Sequence, residues 1–277
     1  MPDSIELLCL AQFLRCARRH RRYLTVMLLV YMRALFWPRG SRALRTGFCF
    51  LQLADDLLDG DAPSAEDADA VVARAAAEIR AGRYGTGTLS RLAQAFMADL
   101  GHAREEVLEL LDAMRFDRRR ALQGLLSDAE DLRAHHRRTF RLSLALLLKA
   151  ARAELGPGDA PELIEAFGWC STMRDLDEDL SRGLVNVPRL VALAAAAAGS
   201  PWTDRRAFIA SPPVRAWATE ERLRAVDLLA ASRASLPALR GRRGAEILAL
   251  FERSMSGFAR RLESVTPAPY PKVCASR

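Results

Sequence analysis

Apolar residues recur at spacings of three and four along almost the whole chain, and no stretch alternates apolar and polar residues at a spacing of two. This pattern is typical of amphipathic helices and not of strands. Glycine and proline divide it into about ten predicted helices. The first is predicted from about Ser4 to Phe36, before Pro38-Arg39-Gly40. The second begins at about Ser41 and ends at Gly60, a residue type that commonly terminates helices.

The remaining glycine and proline residues predict where the later helices begin and end. A helix beginning at Ser64 precedes a loop at 82–87. Further helices are predicted at about 88–101, 103–123, 127–155, 161–182, 188–199, 214–235 and 241–264. The tail after Pro267 is predicted to be loose, and neither a repeat nor a long polar linker interrupts the chain. We therefore predict one all-α domain over residues 1–277, with a core at about 4–264 and a loose tail at 265–277.

Composition supports a globular protein. Half of the 277 residues are apolar, which is enough for a single core. The net charge of +7 comes almost wholly from arginine, since Lys149 and Lys272 are the only lysines. A basic chain can bind nucleic acid, an anionic membrane or phosphate-bearing substrates. No zinc-finger spacing or sustained basic repeat is present, so we expect no nucleic-acid partner.

Cysteine usage and the N-terminus bear on location. The five cysteines have no C-x-x-C spacing and fit reduced thiols in a cytoplasm: Cys9, Cys16, Cys49, Cys170 and Cys274. The N-terminus lacks the positive segment of a signal peptide. The longest apolar run, Leu24 to Met32, is too short to span a bilayer. We expect a cytoplasmic protein, with peripheral membrane contact left open.

Two acidic clusters carry the candidate chemistry. In each, two aspartates stand four apart: Asp55 with Asp59, and Asp175 with Asp179. This spacing puts both carboxylates on one helix face, where like charges repel unless a cation neutralises them. Carboxylates on two facing helices could hold Mg²⁺ together with phosphate oxygens. Acidic pairs at this spacing also occur on plain solvated helix faces.

The motifs resemble those of the squalene/phytoene synthase family. The stretch from Pro38 to Asp59 is similar to that family's first aspartate-rich region, and the segment 111–117 to its Gly-Met-x-x-Asp segment. The sequence 174–179, followed by Arg182-Gly183 and Pro188, resembles its second motif, Arg-Asp-x-x-Glu-Asp. The likeness covers roughly residues 35–190 and is most specific in the second motif.

The resemblance implies an isoprenoid-synthase-type helical bundle whose central cavity is capped by two Mg²⁺-binding aspartate motifs. It implies catalytic and metal-binding roles for Asp55, Asp59, Asp175 and Asp179. Asp56 and Glu178 are expected as auxiliary ligands or as groups that support the ligands. Expected contacts to diphosphate come from Arg174, Gln52 and Ser171, although Arg174 could equally pair with a neighbouring acid.

Several positions depart from the family pattern. Gly168 and Ser171 stand where family members place Gln and Asn, and Gln52 stands where they place Arg. The segment 130–145 lacks the family's Tyr and its Ala-Gly-x-x-Gly pattern, whose small residues make room for a second prenyl chain. The serine-rich diphosphate-binding segment expected near the N-terminus is not recognisable in 23–36.

These departures favour a prenyltransferase that moves one prenyl group from an allylic diphosphate onto a non-prenyl small molecule, most simply an aromatic of secondary metabolism. The alternatives are head-to-head condensation of two prenyl diphosphates and a non-catalytic helical assembly protein. Ordinary drift with compensation elsewhere would also explain the substitutions. Donor chain length, acceptor identity and oligomeric state are not encoded in these motifs.

Aromatic and histidine side chains complete the predicted site. Aromatic faces favour cations, and the candidate cavity residues are Phe48, Phe50, Phe116, Phe140, Phe167 and Trp169, each of which could equally be plain core. An aromatic acceptor must lose a proton after attack. His135 or His136 could accept it, as could the released diphosphate. A histidine pair beside Arg137-Arg138 is also typical of a solvated basic face.

Overall fold

The computed structural model describes residues 4–19 and 41–263. The α-helices in these ranges are α1 (Ile5–Arg19), α2 (Arg42–Leu58), α3 (Ala68–Ala81), α4 (Thr88–Leu100), α5 (Arg104–Gln123), α6 (Ala129–Ala150), α7 (Pro161–Ser181), α8 (Arg189–Ala197), α9 (Arg205–Ala210), α10 (Pro212–Ser235) and α11 (Ala245–Glu263). Short 3₁₀ turns lie at Gly101–Ala103, Pro157–Asp159 and Leu236–Leu239. No strand occurs within the described ranges, so the all-α prediction is confirmed.

The chain forms two compact units. The first comprises Met1–Arg118 with Leu142–Gly156, and the second comprises Arg119–Arg141 with Pro157–Arg277. Helices α5 and α6 therefore each contribute residues to both units. The prediction of one domain for 1–277 stays a prediction.

Helix α2 lies at the core of the first unit. It packs against α1, α3 and α4. Its buried face includes Phe50, which is fully buried and lies 6.2 Å from the ring of Phe96 on α4. Burying a side chain of this size stabilises the fold by about 3 kcal/mol. This packing fixes the helix that carries the first acidic cluster.

Helices α7 and α10 are the central pair of the second unit. Helix α10 also packs against α8, α9 and α11. The apolar side chains below the second acidic cluster are Leu176 and Leu180, which join Phe208 and Val214 in one buried cluster. Leu176 and Leu180 lie one turn apart on the buried face of α7, each directly after an aspartate in the sequence. Packing of the leucines therefore turns the acidic face away from the core.

Several helix bounds differ from the predictions. Helix α3 begins after Asp67 instead of Ser64, because the Asp67 carboxylate caps the helix by accepting the N–H of Ala70 at 3.0 Å. Helix α6 ends at Ala150 instead of 155, and Arg152 has a left-handed φ of 56°. The helix predicted at 214–235 begins instead at Pro212, because proline in the first turn of a helix loses no hydrogen bond.

Two further differences concern segments without strong signals. The six-residue helix α9 was not predicted, since Arg205–Ala210 is too short to display a helical period. The predicted helix at 241–264 begins only at Ala245, after Gly241 and Gly244 with φ of 85° and 102°. The apolar run at 24–32 and the tail at 265–277 lie outside the described residues. Across residues 4–19 and 41–263, no helix has the length and apolar content needed to cross a bilayer.

Candidate active site

The first acidic cluster occupies the last turns of α2. Asp55 is half-buried, Asp59 is exposed just after the helix, and Asp56 is only 3% exposed. Gln52 Nε2 donates to Asp56 Oδ1 at 2.9 Å, and Gln12 Nε2 on α1 donates to Asp56 Oδ2 at 3.4 Å. A buried carboxylate requires such donors. The supporting role expected for Asp56 and the diphosphate contact of Gln52 both stay predictions.

The end of α2 is held by the neighbouring helix α5. Arg118 donates to the carbonyl oxygen of Leu58, and Arg115 forms a two-pronged contact with Asp69 at 2.8 and 2.7 Å. Both arginines lie in or next to the segment 111–117 that resembles the Gly-Met-x-x-Asp motif. In the first unit, Arg118 therefore contacts the helix end that bears Asp55 and Asp59, while Arg115 contacts α3.

In the second cluster, Arg174 contacts its neighbours on the same helix. Arg174 Nη2 donates to Asp175 Oδ2 at 2.6 Å and to Ser171 Oγ at 2.9 Å, and Arg174 Nε donates to Asp175 Oδ1 at 3.0 Å. The side chains of Arg174 and Asp175 are 29% and 18% exposed, so both remain accessible. The pairing role considered for Arg174 is thus observed. Its contact with diphosphate stays a prediction.

Asp179 and Glu178 each have a partner beyond the motif. Glu178 accepts a hydrogen bond from Arg182 at 2.8 Å, one turn later. Asp179 Oδ2 accepts from Asn186 Nδ2 at 2.9 Å, across the loop that follows α7. Asn186 was not predicted as a functional residue. Its only sequence signal is a polar residue between Val185 and Val187, both of which are buried.

The histidine pair lies on α6, facing α7. The ring nitrogens of His136 lie 3.3 and 3.5 Å from Thr172 Oγ1, while Thr172 Oγ1 donates its own proton to Gly168 O at 3.0 Å. Because the hydroxyl proton is used, the oxygen accepts from a His136 N–H. His135 is half-buried, with its ring centroid 6.0 Å from that of His136. The role of His135 as a base stays a prediction.

Gly168 faces large side chains. A Cβ atom at this position would lie 3.2 Å from the Cβ of His136 and 3.4 Å from Cδ2 of Phe140. A glutamine there would therefore require both neighbours to move. At this contact the small residue lies on α7 and the large residues lie on α6.

The predicted cavity phenylalanines fall into three environments. Phe48 packs against the core of the first unit, to which the fully buried Phe50 belongs. Phe116 is 38% exposed. Phe140 lies 4.6 Å from Phe167 between ring centroids, within a cluster that also includes Phe251. A central cavity lined by all these residues stays a prediction.

Trp169 lines a pocket of the second unit. Helices α6, α7 and α10 form its walls, with Trp217 and His136 among the lining residues. Its charged side chains are Arg133, Arg137 and Arg224, paired with Glu165 and Glu221. Trp169 is 6% exposed, and its buried Nε1–H has no protein acceptor.

The described side chains include no group of three or more His, Cys, Asp or Glu arranged to hold a metal. Mg²⁺ needs fewer protein ligands, since it commonly binds one or two carboxylates together with waters and substrate phosphates. A pair of aspartates one turn apart fits that requirement in each unit. The pair Asp55 and Asp59 belongs to the first unit, and the pair Asp175 and Asp179 to the second. That the pairs face each other stays a prediction.

The helices described define an all-α isoprenoid-synthase-type fold, as predicted. The crystal structure of squalene synthase HpnC from Alicyclobacillus acidocaldarius has the same fold, with a TM-score of 0.66. The match covers 97% of this chain and 98% of that chain at 24% sequence identity. No protein-family model matches the sequence, and no curated protein matches it significantly. At this identity the likeness shows the fold alone, and that fold agrees with the resemblance drawn from the motifs.

Proposed function

We propose that this protein is a Mg²⁺-dependent transferase that ionises an allylic prenyl diphosphate, with head-to-head condensation of two such molecules as its reaction. The observation that carries the proposal is the presence of two aspartate pairs, on α2 and α7, in a chain with the fold of a squalene synthase. The aspartates gain nothing by packing and repel each other on their helices, so retaining all four is explained most simply by a bound cation.

The residues divide into three tasks. Asp55 and Asp59 on α2, with Asp175 and Asp179 on α7, would hold Mg²⁺ through their carboxylates. When bound, Mg²⁺ neutralises the negative charge that develops on diphosphate as the allylic C–O bond breaks. Arg174 adds a fixed positive charge next to Asp175, with which it shares hydrogen bonds. Loss of diphosphate leaves an allylic cation, which must be kept from water.

Protection of that cation is the task of apolar and aromatic side chains. Phe140 and Phe167 form a tight pair at 4.6 Å in the second unit, on the two helices that also carry His136 and Asp175. Aromatic faces stabilise a nearby cation through their quadrupole without offering it a nucleophile. This environment supports carbon–carbon bond formation over hydrolysis.

A second candidate reaction is transfer of one prenyl group to a non-prenyl aromatic acceptor. It is favoured by the side-chain sizes around Gly168. The resembled family has a glutamine at this position, whereas here a glycine lies beside the large side chains of His136 and Phe140. The pocket beside Trp169 offers an alternative place for a flat acceptor. After attack, the acceptor's proton would pass to His135, His136 or the released diphosphate.

Product analysis with purified protein separates these reactions. Incubation with Mg²⁺ and geranyl, farnesyl or geranylgeranyl diphosphate alone should release diphosphate and give a coupled prenyl product, detected by mass spectrometry. This product is a hydrocarbon once both diphosphates and one proton have left. Diphosphate release that begins only when an aromatic such as indole or carbazole is added would support the second candidate. A variant with Asp175→Asn serves as the inactive control.

A non-catalytic assembly protein of the same fold predicts a different outcome. It would turn over none of these diphosphates and would not bind inorganic pyrophosphate in the presence of Mg²⁺. Titration calorimetry with pyrophosphate, with and without Mg²⁺, measures the second property directly. Absence of both turnover and Mg²⁺-dependent binding would overturn the proposed function.

A further inference from the structure

The loop after α7 is fastened to the end of α5 within the second unit. Gly183 has a φ of 85°, and a Cβ there would lie 3.0 Å from the carbonyl oxygen of Ala121, so this turn favours glycine. Next to Ala121, Arg120 Nη2 donates to the carbonyl oxygen of Val185 at 3.0 Å. These contacts hold the backbone that leads into Asn186.

Asn186 connects this anchor to the second aspartate motif. Its Oδ1 accepts from Arg120 Nη1 at 3.1 Å, and its Nδ2 donates to Asp179 Oδ2 at 2.9 Å. A guanidinium only donates and an ionised carboxylate only accepts, so the amide of Asn186 has a single orientation that satisfies both. The connection Arg120–Asn186–Asp179 is therefore fixed in direction.

The burial of this connection indicates a function. Arg120 is 1% exposed and Asn186 is 7% exposed. Removing a guanidinium from water is costly, and an apolar residue of similar size would often be neutral or more stable. The arginine and the amide instead hold one oxygen of Asp179, and the amide does so without bringing a charge into contact with the carboxylate.

We propose that Asn186 and Arg120 are positioning residues that orient the Asp179 carboxylate toward the Mg²⁺–diphosphate complex. This inference rests on the proposed function. Hydrogen bonds from outside a metal's own ligands fix ligand orientation, and their loss commonly weakens metal binding by about 10–100-fold. Arg120 contacts both the amide of Asn186 and the carbonyl oxygen of Val185, so it supports the position from which Asn186 reaches Asp179.

The test measures Mg²⁺-dependent binding of inorganic pyrophosphate by titration calorimetry. Asn186→Leu keeps most of the buried volume and removes both hydrogen bonds, so we expect the Mg²⁺ concentration for half-maximal binding to rise about tenfold. If thermal melting shows that this variant does not fold, Asn186→Ala replaces it. Arg120→Lys keeps the charge and one donor, and we expect an intermediate rise.

Two comparisons distinguish a positioning role of Asn186 from a purely structural one. Ser256→Ala removes a buried hydroxyl that donates to Glu252 at 2.7 Å in the same unit, and should lower stability without changing the Mg²⁺ dependence. In an Asp179→Asn background, Asn186→Leu should have no further effect on pyrophosphate binding, because the group that it orients is already lost.

The outcomes separate this inference from the function on which it rests. Wild-type protein that binds pyrophosphate with Mg²⁺, together with an Asn186→Leu variant that binds it equally well, overturns the positioning role and leaves the proposed function standing. Effects of Asn186→Leu and Asp179→Asn that simply add in the double variant also overturn it. Wild-type protein that does not bind pyrophosphate overturns both.

Discussion

On α2, Asp56 accepts hydrogen bonds from the amides of Gln52 on the same helix and Gln12 on α1. On α7, Asp175 accepts hydrogen bonds from the guanidinium of Arg174. The first carboxylate is almost fully buried and the second is partly exposed. Asp56 lies between the paired aspartates of the first motif, whereas Asp175 belongs to the pair of the second, and the described partners of these two carboxylates differ in charge and in access to solvent. The first arrangement is suited to shaping the helix end, and the second to sharing charge with a ligand.

This difference implies that equivalent substitutions should have different consequences. A buried carboxylate that loses a hydrogen-bond donor is less well compensated for its removal from water. Changes around Asp56 should therefore lower the free energy of unfolding. An accessible pair such as Arg174 and Asp175 is screened by water, so changes there should act on binding and turnover more than on stability.

The largest expected effect is that of Asp175→Asn on turnover. Replacing the carboxylate removes a ligand for Mg²⁺ and the partner of Arg174, so release of diphosphate should fall by about 10³-fold. A continuous phosphate assay coupled to pyrophosphatase measures the rate. Melting temperature should change little, because the side chain is partly exposed.

Asp177 offers a control within the same motif. Its side chain is 70% exposed and lies 3.5 Å from Arg205, so it belongs to a different face of α7. Asp177→Asn should therefore leave turnover near wild type. Equal losses from Asp175→Asn and Asp177→Asn would mean that the motif acts through total charge and not through the proposed pair.

For stability, we expect the larger effect from a substitution on α2 and the smaller effect from one on α7. Gln52→Leu leaves Asp56 Oδ1 without its 2.9 Å hydrogen bond, and we expect the free energy of unfolding to fall by up to about 3 kcal/mol. Arg174→Leu removes an ion pair of partly exposed groups and should cost less than about 1 kcal/mol. Denaturant unfolding of both variants measures the difference. A larger loss for Arg174→Leu would reverse the comparison.

The sequence predicted most of the fold because the helical period is strong and its breakers are clear. Helices α2 and α7 lie within a few residues of their predicted bounds, since Gly60 and Pro161 mark one end of each. The failures have local causes. Helix α10 begins at a proline pair instead of after it, and α9 is too short to show a period.

The candidate site was predicted only in part. The aspartates have a recognisable spacing, so their helices and faces could be placed from sequence. Gln12 and Asn186 have no such signal. Gln12 is 44 residues from Asp56 in the sequence, and Asn186 reaches Asp179 from the loop after α7, where no helical period applies. Partners chosen by packing between distant segments cannot be inferred from the period of one helix.

Glycines on the two acid-bearing helices give a smaller contrast. A Cβ at Gly47 on α2 would lie 2.6 Å from the buried ring of Phe96, whereas one at Gly168 on α7 would meet His136 at 3.2 Å. Gly47→Ala should therefore reduce the free energy of unfolding by about 2 kcal/mol. Gly168→Ala should change it by less than about 1 kcal/mol, because the helical preference for alanine offsets the crowding. Thermal unfolding tests both, and equal losses would show that α7 is packed as tightly as α2.

The smallest expected effect concerns Cys170, one turn before Arg174 on α7. Burial raises the pKa of its thiol to about 12, although the positive charge of Arg174 acts in the opposite direction. The thiol stays neutral in the folded protein, whereas in the unfolded chain it ionises above its ordinary pKa of 9.0. Its contribution to stability is therefore complete below pH 9 and is lost as pH rises from 9 toward 12. Between pH 8 and pH 10, wild type should lose about 1 kcal/mol more than Cys170→Ala, measured by denaturant unfolding at each pH. Equal losses would mean that the positive charge of Arg174 stabilises the Cys170 thiolate in addition to the Asp175 carboxylate. The assignment of the Arg174 charge to the acidic motif would then be weaker.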